Sequence, residues 1–234
     1  MSQQLKEVFE SAIQTQIWKI DLSNKEITDL KEIDFSKLEH LEILDLTNNN
    51  LKEIPDSICE MKNLKRLLLS HNKLKSLPKN IGKLSNLEWL HLSYNEDLSS
   101  LPDISALVNL TELDLSHCSF NALPGGLEKL KKLTTIDASS NQIKAINPSI
   151  CKMKSLGRLY LDHNKLNRIH QDFGSFQNLK VLDLSFNQIV ELPFSLTNLD
   201  GLWELHLEGN EKLKNPPQDV LNKEPKEILS YIKK

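Results

Sequence analysis

The chain has few of the residues that staple, extend or soften a polypeptide. Three cysteines, Cys59, Cys118 and Cys151, stand far apart in 234 residues. An odd, scattered set builds no disulfide framework and fits a reducing cytosol. Glycine (7) and proline (9) are scarce, which excludes collagen-like and low-complexity chains. No apolar run reaches the roughly 18 residues that a membrane span needs. The first segment, MSQQLKEVFESAIQ, lacks the apolar stretch of a secretory signal. Positive charge is not in excess: Lys+Arg 29 against Asp+Glu 32 gives a net charge of −3, leaving no basic field for nucleic acid. P-loop, GxGxxG, HExxH and GxSxG motifs are missing, so neither an enzyme nor a cofactor is expected. What abounds is leucine, at 44 positions.

The leucines are periodic. Leu41, Leu64, Leu87, Leu110, Leu133, Leu156, Leu179 and Leu202 recur at intervals of 23, and a looser copy begins at Ile17. The shared phrase LxxLxLxxNxLxxLPxxIxxLxx makes nine repeats over 17–223. Its LxL alternates with period two, as in a short strand with leucines on one face. The second half, opened by LP in most copies, reads as a turn or short helical segment. One repeat cannot bury its leucines alone, but stacked repeats can. The expected fold is an α/β solenoid: a horseshoe with a parallel concave sheet, short helical or irregular convex segments, and helical caps at both ends. Residues 2–15 carry an apolar stripe, Leu5, Val8, Phe9, Ala12 and Ile13, for an N-terminal cap. Residues 224–234, with Pro225, Ile228, Leu229 and Ile232, suit a C-terminal one. The whole of 1–234 is expected to be a single domain.

Position nine of the repeat is Asn49, Asn72, Asn95, Asn141, Asn164, Asn187 and Asn210. A buried amide both donates and accepts, so these residues are expected to form a structural ladder where the chain leaves each strand. Cys118 takes the place in the fifth copy and Lys25 in the first. NEDLSSLP (95–102) and NEKLKNPP (210–217) each hold one extra residue after the Asn, and a local bulge is expected at both.

Nine copies supply an internal alignment. Positions three, five, seven and eight are expected to face out on the concave sheet, and departures there are the candidates for recognition. Two clusters result. The first joins Arg66, Leu68, His71, Trp89, His91, Tyr94 and His117; the second joins Arg158, Tyr160, His163, Val181, Phe186 and His206. Thr135, Ser139 and Ser140 separate them. Grouped aromatic and arginine side chains are the material of protein-binding hot spots, although aromatics also suit exposed strands for their own sake. Metal binding is not expected. His71 and His117 share a column two strand steps apart, roughly 10 Å, too far for one zinc ion without long side-chain reach.

The full phrase, LxxLxLxxNxLxxLPxxIxxLxN, resembles the 23-residue intracellular class of leucine-rich repeats. LKRLLLSHNKLKSLPKNIGKLSN (64–86) and LKVLDLSFNQIVELPFSLTNL (179–199) are similar to segments of the Ras-suppressor and Scribble/Erbin proteins, the plant Ras-group repeats, and bacterial and ROCO-type relatives. The ending, GNEKLKNPPQDVLNKEPKEILSYIKK, is similar to the NPP-plus-helix closure of several of these. The resemblance implies a non-catalytic cytoplasmic scaffold or adaptor for a protein partner, with a small GTPase, its regulator or a phosphatase as candidate company. It leaves two other settings: a ligand-sensing module of a larger ROCO-like enzyme, and a secreted pathogen effector.

Overall fold

The computed structural model describes residues 3–232. Helix α1, Gln3–Thr15, leads into nine short strands: β1 Lys19–Asp21, β2 Ile43–Asp45, β3 Arg66–Leu68, β4 Trp89–His91, β5 Glu112–Asp114, β6 Thr135–Asp137, β7 Arg158–Tyr160, β8 Val181–Asp183 and β9 Glu204–His206. They form one sheet in sequence order, every neighbouring pair parallel. The register is the repeat itself, so Leu67 lies beside Leu90 and Leu90 beside Leu113. The chain is a leucine-rich-repeat solenoid, as its period implies. It closes with helix α2, Pro225–Ser230.

Each strand is three residues long because only the LxL core alternates. The middle residue of the strand and the residue after it point inward: Leu44 and Leu46, Leu90 and Leu92, Leu159 and Leu161 are all sealed from water. The outer half of most copies folds into a short 3-10 turn, such as Asp56–Glu60, which buries Ile58 and Cys59, or Gln171–Ser175, which buries Phe173. The fourth copy, shortened after Pro102, makes only turns, at 105–106 and 108–109.

At the N-terminal end, α1 buries Leu5, Phe9 and Ala12. The Phe9 ring meets Phe35 edge to face at 5.6 Å, and Lys6 pairs with Glu32 at 2.6 Å. Ile13 is only partly buried and Val8 stays 37% exposed, so the stripe is narrower than its spacing suggests. At the other end α2 buries Pro225, Ile228 and Leu229. Residue 2 of the anticipated first cap, and 233–234 of the second, lie outside the described residues.

The asparagines bond as their chemistry implies. Asn72 Nδ2 donates to Leu46 O in the preceding repeat (2.9 Å) and to Leu69 O in its own (3.0 Å), while Oδ1 accepts from Leu51 N (3.0 Å). Asn95, Asn141, Asn164, Asn187 and Asn210 repeat this pattern, and Asn49 meets Ile27 N at the first step. All seven side chains are buried. One amide therefore satisfies backbone groups of two repeats at once, where burial would otherwise strand them.

The two extra residues explain the missing asparagine. In a regular copy the apolar residue two places after the Asn gives its N–H to the next Asn. In the fourth copy that residue is displaced to Leu98, whose N–H turns back onto Asn95 O at 2.9 Å. The ninth copy does the same, Leu213 N to Asn210 O at 2.9 Å. No acceptor is then required of the fifth copy. Cys118, a poor acceptor, needs only to donate, and its Sγ lies 3.4 Å from Leu92 O. The insertions are tight turns, not the bulges anticipated from the sequence.

A second asparagine ladder runs along position 23. Asn63, Asn86, Asn109 and Asn178 each donate Nδ2 to a carbonyl one repeat back, at Glu39 (2.8 Å), Lys62 (2.9 Å), Ser85 (2.8 Å) and Lys154 (2.7 Å). The sequence reading missed its role because these residues sit in polar surroundings.

Burial also settles the thiols. Cys59 and Cys118 are pushed up to about 11 and Cys151 to about 12, in each case chiefly because burial disfavours the thiolate. All three are unpaired. Iodoacetamide at neutral pH is expected to leave the native chain unlabelled and to add three carbamidomethyl groups once it is unfolded. Rapid labelling of the native chain by mass spectrometry would contradict the burial.

Candidate functional site

The inner wall is built from repeat positions three and five, which flank the buried middle residue of each strand. Arg66, Leu68, Trp89, His91 and Tyr160 stand on it half-buried, and Arg158 is exposed. None of these reaches the core. Arg66 lays its guanidinium over Trp89, 3.8 Å from the ring centroid. Trp89 and His91 lie parallel at 5.7 Å, and His91 Nε2 meets Glu112 Oε1 at 3.0 Å. The first cluster is thus one connected surface across β3 to β5.

Two of the expected outward positions behave differently. Position seven is turned in at three copies, where Ser93, Ser116 and Ser185 are buried with their hydroxyls bonded to Ser70, Asp114 and Asp183, while Asp162 and Glu208 stay half-buried there. Val181, a member of the second cluster, is only 4% exposed. It does not join the core. A short side chain stands there in register between the long ones of Arg158 and Glu204 and is covered by its neighbours. Val181 therefore offers no free surface.

Position eight is not on a strand. Asn24, Asn48, His71, Tyr94, His117, Ser140, His163 and Phe186 all have φ between 50° and 58°. The left-handed conformation turns the chain out of each strand, and it is uncommon for bulky residues. Gly209 continues the row at φ 72°; a Cβ there would come within 2.5 Å of the Phe186 ring. Because strands repeat every ~4.8 Å, consecutive rings meet face to face. His71 and Tyr94 stack at 4.1 Å, Tyr94 and His117 at 4.0 Å, with Tyr94 between the two histidines. Ser140 interrupts the row, and His163 and Phe186 resume it at 4.4 Å. Tyr94 and Phe186 remain 40% and 49% exposed. Position eight thus forms a rim of stacked rings beside the wall.

The wall from β5 to β8 is acidic. Asp114, Asp137 and Asp183 accept bonds from the serine two residues on, through both its N–H and its hydroxyl. Exposed Asp21 makes the same bonds with Ser23, and they hold its pKa below the usual carboxylate value. Asp137 and Asp183 move the other way: burial pushes both up, and neighbouring aspartates, Asp114 and Asp162 among them, add to the rise. Burial also raises the Tyr160 phenol. In the second cluster His206 lies 3.5 Å from Glu204, and His163 2.9 Å from Asp162. The second cluster is therefore less apolar than its aromatic members suggested.

Exposed tryptophans at position two escaped the sequence reading. Trp203 is 66% exposed beneath Lys180 Nζ at 5.7 Å, and Trp18 is 59% exposed at the opposite end. Position two is not among the positions expected to face out; its large departures from the repeat were the available signal.

Sequence comparison agrees with this geometry. A model described as a leucine-rich repeat region matches residues 16–114, and a leucine rich repeat model matches 108–166 and 154–211. The chain belongs to the leucine-rich-repeat family. No curated protein matches it. Among solved structures, a leucine-rich-repeat protein of Leptospira interrogans is 34% identical over 85% of this chain and 57% of its own, with a TM-score of 0.75. The ectodomain of the plant membrane receptor kinase GASSHO1/SCHENGEN3 from Arabidopsis thaliana, solved with CASPARIAN STRIP INTEGRITY FACTOR 2, is 30% identical over 80% of this chain and 23% of its own (TM-score 0.70). The leucine-rich repeat domain of the type III effector XopL is 25% identical over 89% of this chain and 74% of its own, with a TM-score of 0.75. This leucine-rich-repeat chain spans 57% of the Leptospira protein and 37% of a TDR receptor. Among the described residues, no helix is long and apolar enough to cross a membrane.

Proposed function

We propose that this leucine-rich-repeat protein is a non-catalytic scaffold or adaptor that binds a protein partner across its concave face. The observation that carries the reading is the placement of its variable aromatics. Trp89, Tyr94, Tyr160 and Phe186 lie outside the core cluster; Arg66 covers Trp89, and histidines stack on Tyr94 and Phe186 at the rim of the inner wall. Rigid, partly exposed aromatic and arginine side chains make good anchors, since little side-chain freedom is left to lose on binding. The contact residues are Arg66, Leu68, His71, Trp89, His91, Tyr94 and His117, together with Arg158, Tyr160, His163, Phe186 and His206. On this reading 1–234 acts as one unit, in the cytoplasm, in small-GTPase or phosphatase signalling. Three unpaired, buried thiols and the likeness of its segments to intracellular repeats support that setting.

The test is affinity capture with quantitative mass spectrometry, using wild type and two doubles, Trp89→Ala/Tyr94→Ala and Tyr160→Ala/Phe186→Ala. Proteins held by the wild type are expected to fall at least tenfold with either double while its thermal unfolding changes little. Capture that is undiminished by both doubles rejects the concave face. The likeness to the XopL domain favours one alternative, an exported effector; appearance of the intact chain outside unlysed cells decides for it.

A further inference from the structure

The inner wall changes character along the solenoid, and the change indicates what covers its second half. Over β2–β4 it offers Ile43, Leu68 and Trp89, with Arg66 and a single carboxylate, Asp45. Over β5–β9 positions three, five and seven hold Glu112, Asp114, Asp137, Asp162, Asp183, Glu204 and Glu208, with Arg158 as their one arginine and no lysine; His206 lies beside Glu204 and Glu208, and His163 beside Asp162. Asp114, Asp137 and Asp183 occupy the same repeat position, and Asp114 and Asp137 are direct partners across adjacent strands. Like charges side by side on a sheet are unfavourable, and two of these carboxyls are further penalised by partial burial. Their serine bonds orient them without supplying a cation. Beside the strip stand the Tyr160 face and the Phe186 ring, apolar surfaces on which the stem of a long side chain can lie.

We infer that the sheet face of β5–β9 receives an extended Lys/Arg-rich segment of the partner protein, its cationic heads over the Asp114, Asp137, Asp162 and Asp183 carboxylates and its aliphatic stems on Tyr160 and Phe186. The inference rests on the proposed protein-binding role of this face and names the chemistry of the partner. Four strand steps of ~4.8 Å span about 19 Å, which an extended chain rising ~3.3 Å per residue covers with about six residues. Alternate side chains then point down, so three basic residues meet the strip. A Lys or Arg neutralises the wall without adding bulk to it, and its attraction grows as water leaves the contact.

The full chain is titrated into fluorescein-labelled nona-arginine, nona-glutamate and nona-serine at physiological ionic strength, with anisotropy as the readout. The variant Glu112→Gln/Asp162→Asn/Glu204→Gln removes three wall charges and leaves the serine-bonded aspartates in place. A control, Glu60→Gln/Glu96→Gln/Glu191→Gln, removes the same charge away from the wall. Nona-arginine is expected to bind the wild type, at least tenfold more weakly to the wall variant and within twofold of wild type to the control. Nona-serine and nona-glutamate are expected not to bind. Tyr160→Ala/Phe186→Ala is expected to weaken nona-arginine severalfold. Equal weakening by the wall and control variants would mean attraction by net charge and overturns the inference, as does competition by spermine as effective as that by the unlabelled peptide, which would mark a small-cation site. If the aromatic doubles abolish partner capture but the wild type does not bind nona-arginine, the face binds protein of another chemistry; the inference fails and the proposed function stands.

Discussion

Asn164→Ala is expected to lower the unfolding free energy by about 3 kcal/mol, since one buried polar group left without a partner costs about 1–3 kcal/mol and each further hydrogen bond lost costs about 0.5–1.5 kcal/mol. Asn164 Nδ2 reaches Ala138 O at 2.9 Å and Leu161 O at 3.1 Å, and its Oδ1 accepts from Ile143 N at 2.9 Å. A further bond runs to Asp162 O at 3.1 Å, and alanine removes all four; Ala138 O and Leu161 O each keep one amide donor, from Asn141 and Asn187, whereas Ile143 N is left without a partner. For a chain of this size the fall in Tm is expected to be about 6–12 °C. Cys118→Ala, at the same repeat position, is expected to cost under about 1.5 kcal/mol, because little beyond a small apolar side chain is lost. The acceptor role there is already filled by Asn95 O, which takes the Leu98 N–H. Urea unfolding of the two variants checks the contrast. Equal losses would show that the ladder is not what joins these repeats.

Leu113→Ala is expected to cost about 2–5 kcal/mol, the usual range for emptying a sealed leucine site. Leu113 is the central residue of β5, 0% exposed, with Leu90 and Ile136 as its partners on either side. In a stacked-repeat chain each unit touches only its neighbours. Backbone hydrogen exchange should therefore accelerate most over the fourth to sixth repeats and least at β1 and β9. Acceleration spread evenly over the chain would contradict a core assembled neighbour by neighbour.

Much of this architecture was legible because the period is strict. A leucine in the same phase of each copy must meet its equivalent in the next, so β positions, parallel order and the buried asparagines all follow from the spacing of Leu41, Leu64 and their successors. What the period hides is backbone conformation. His71, Tyr94 and Phe186 read as strand residues, yet their positive φ places them on a turn, and the ring stacks follow from that turn combined with the strand spacing. Val181 fails as a site residue because exposure at a concave position depends on the lengths of its neighbours, here Arg158 and Glu204. The link between the NEDL turn and Cys118 needed hydrogen-bond partners, because the compensating residues lie in different repeats. Trp203 was overlooked because position two was assigned no face, although it stands exposed beside β9.

The division of labour between a leucine core and a recognising inner wall is tested most directly by residue-specific photo-crosslinking. A photoreactive phenylalanine is placed singly at Tyr94 and Tyr160 on the concave side and at Lys129 and Lys152 on the convex side, and each chain is irradiated with its captured partner. The account predicts covalent partner adducts from positions 94 and 160 and none from 129 or 152. Adducts formed from the convex positions alone would contradict it.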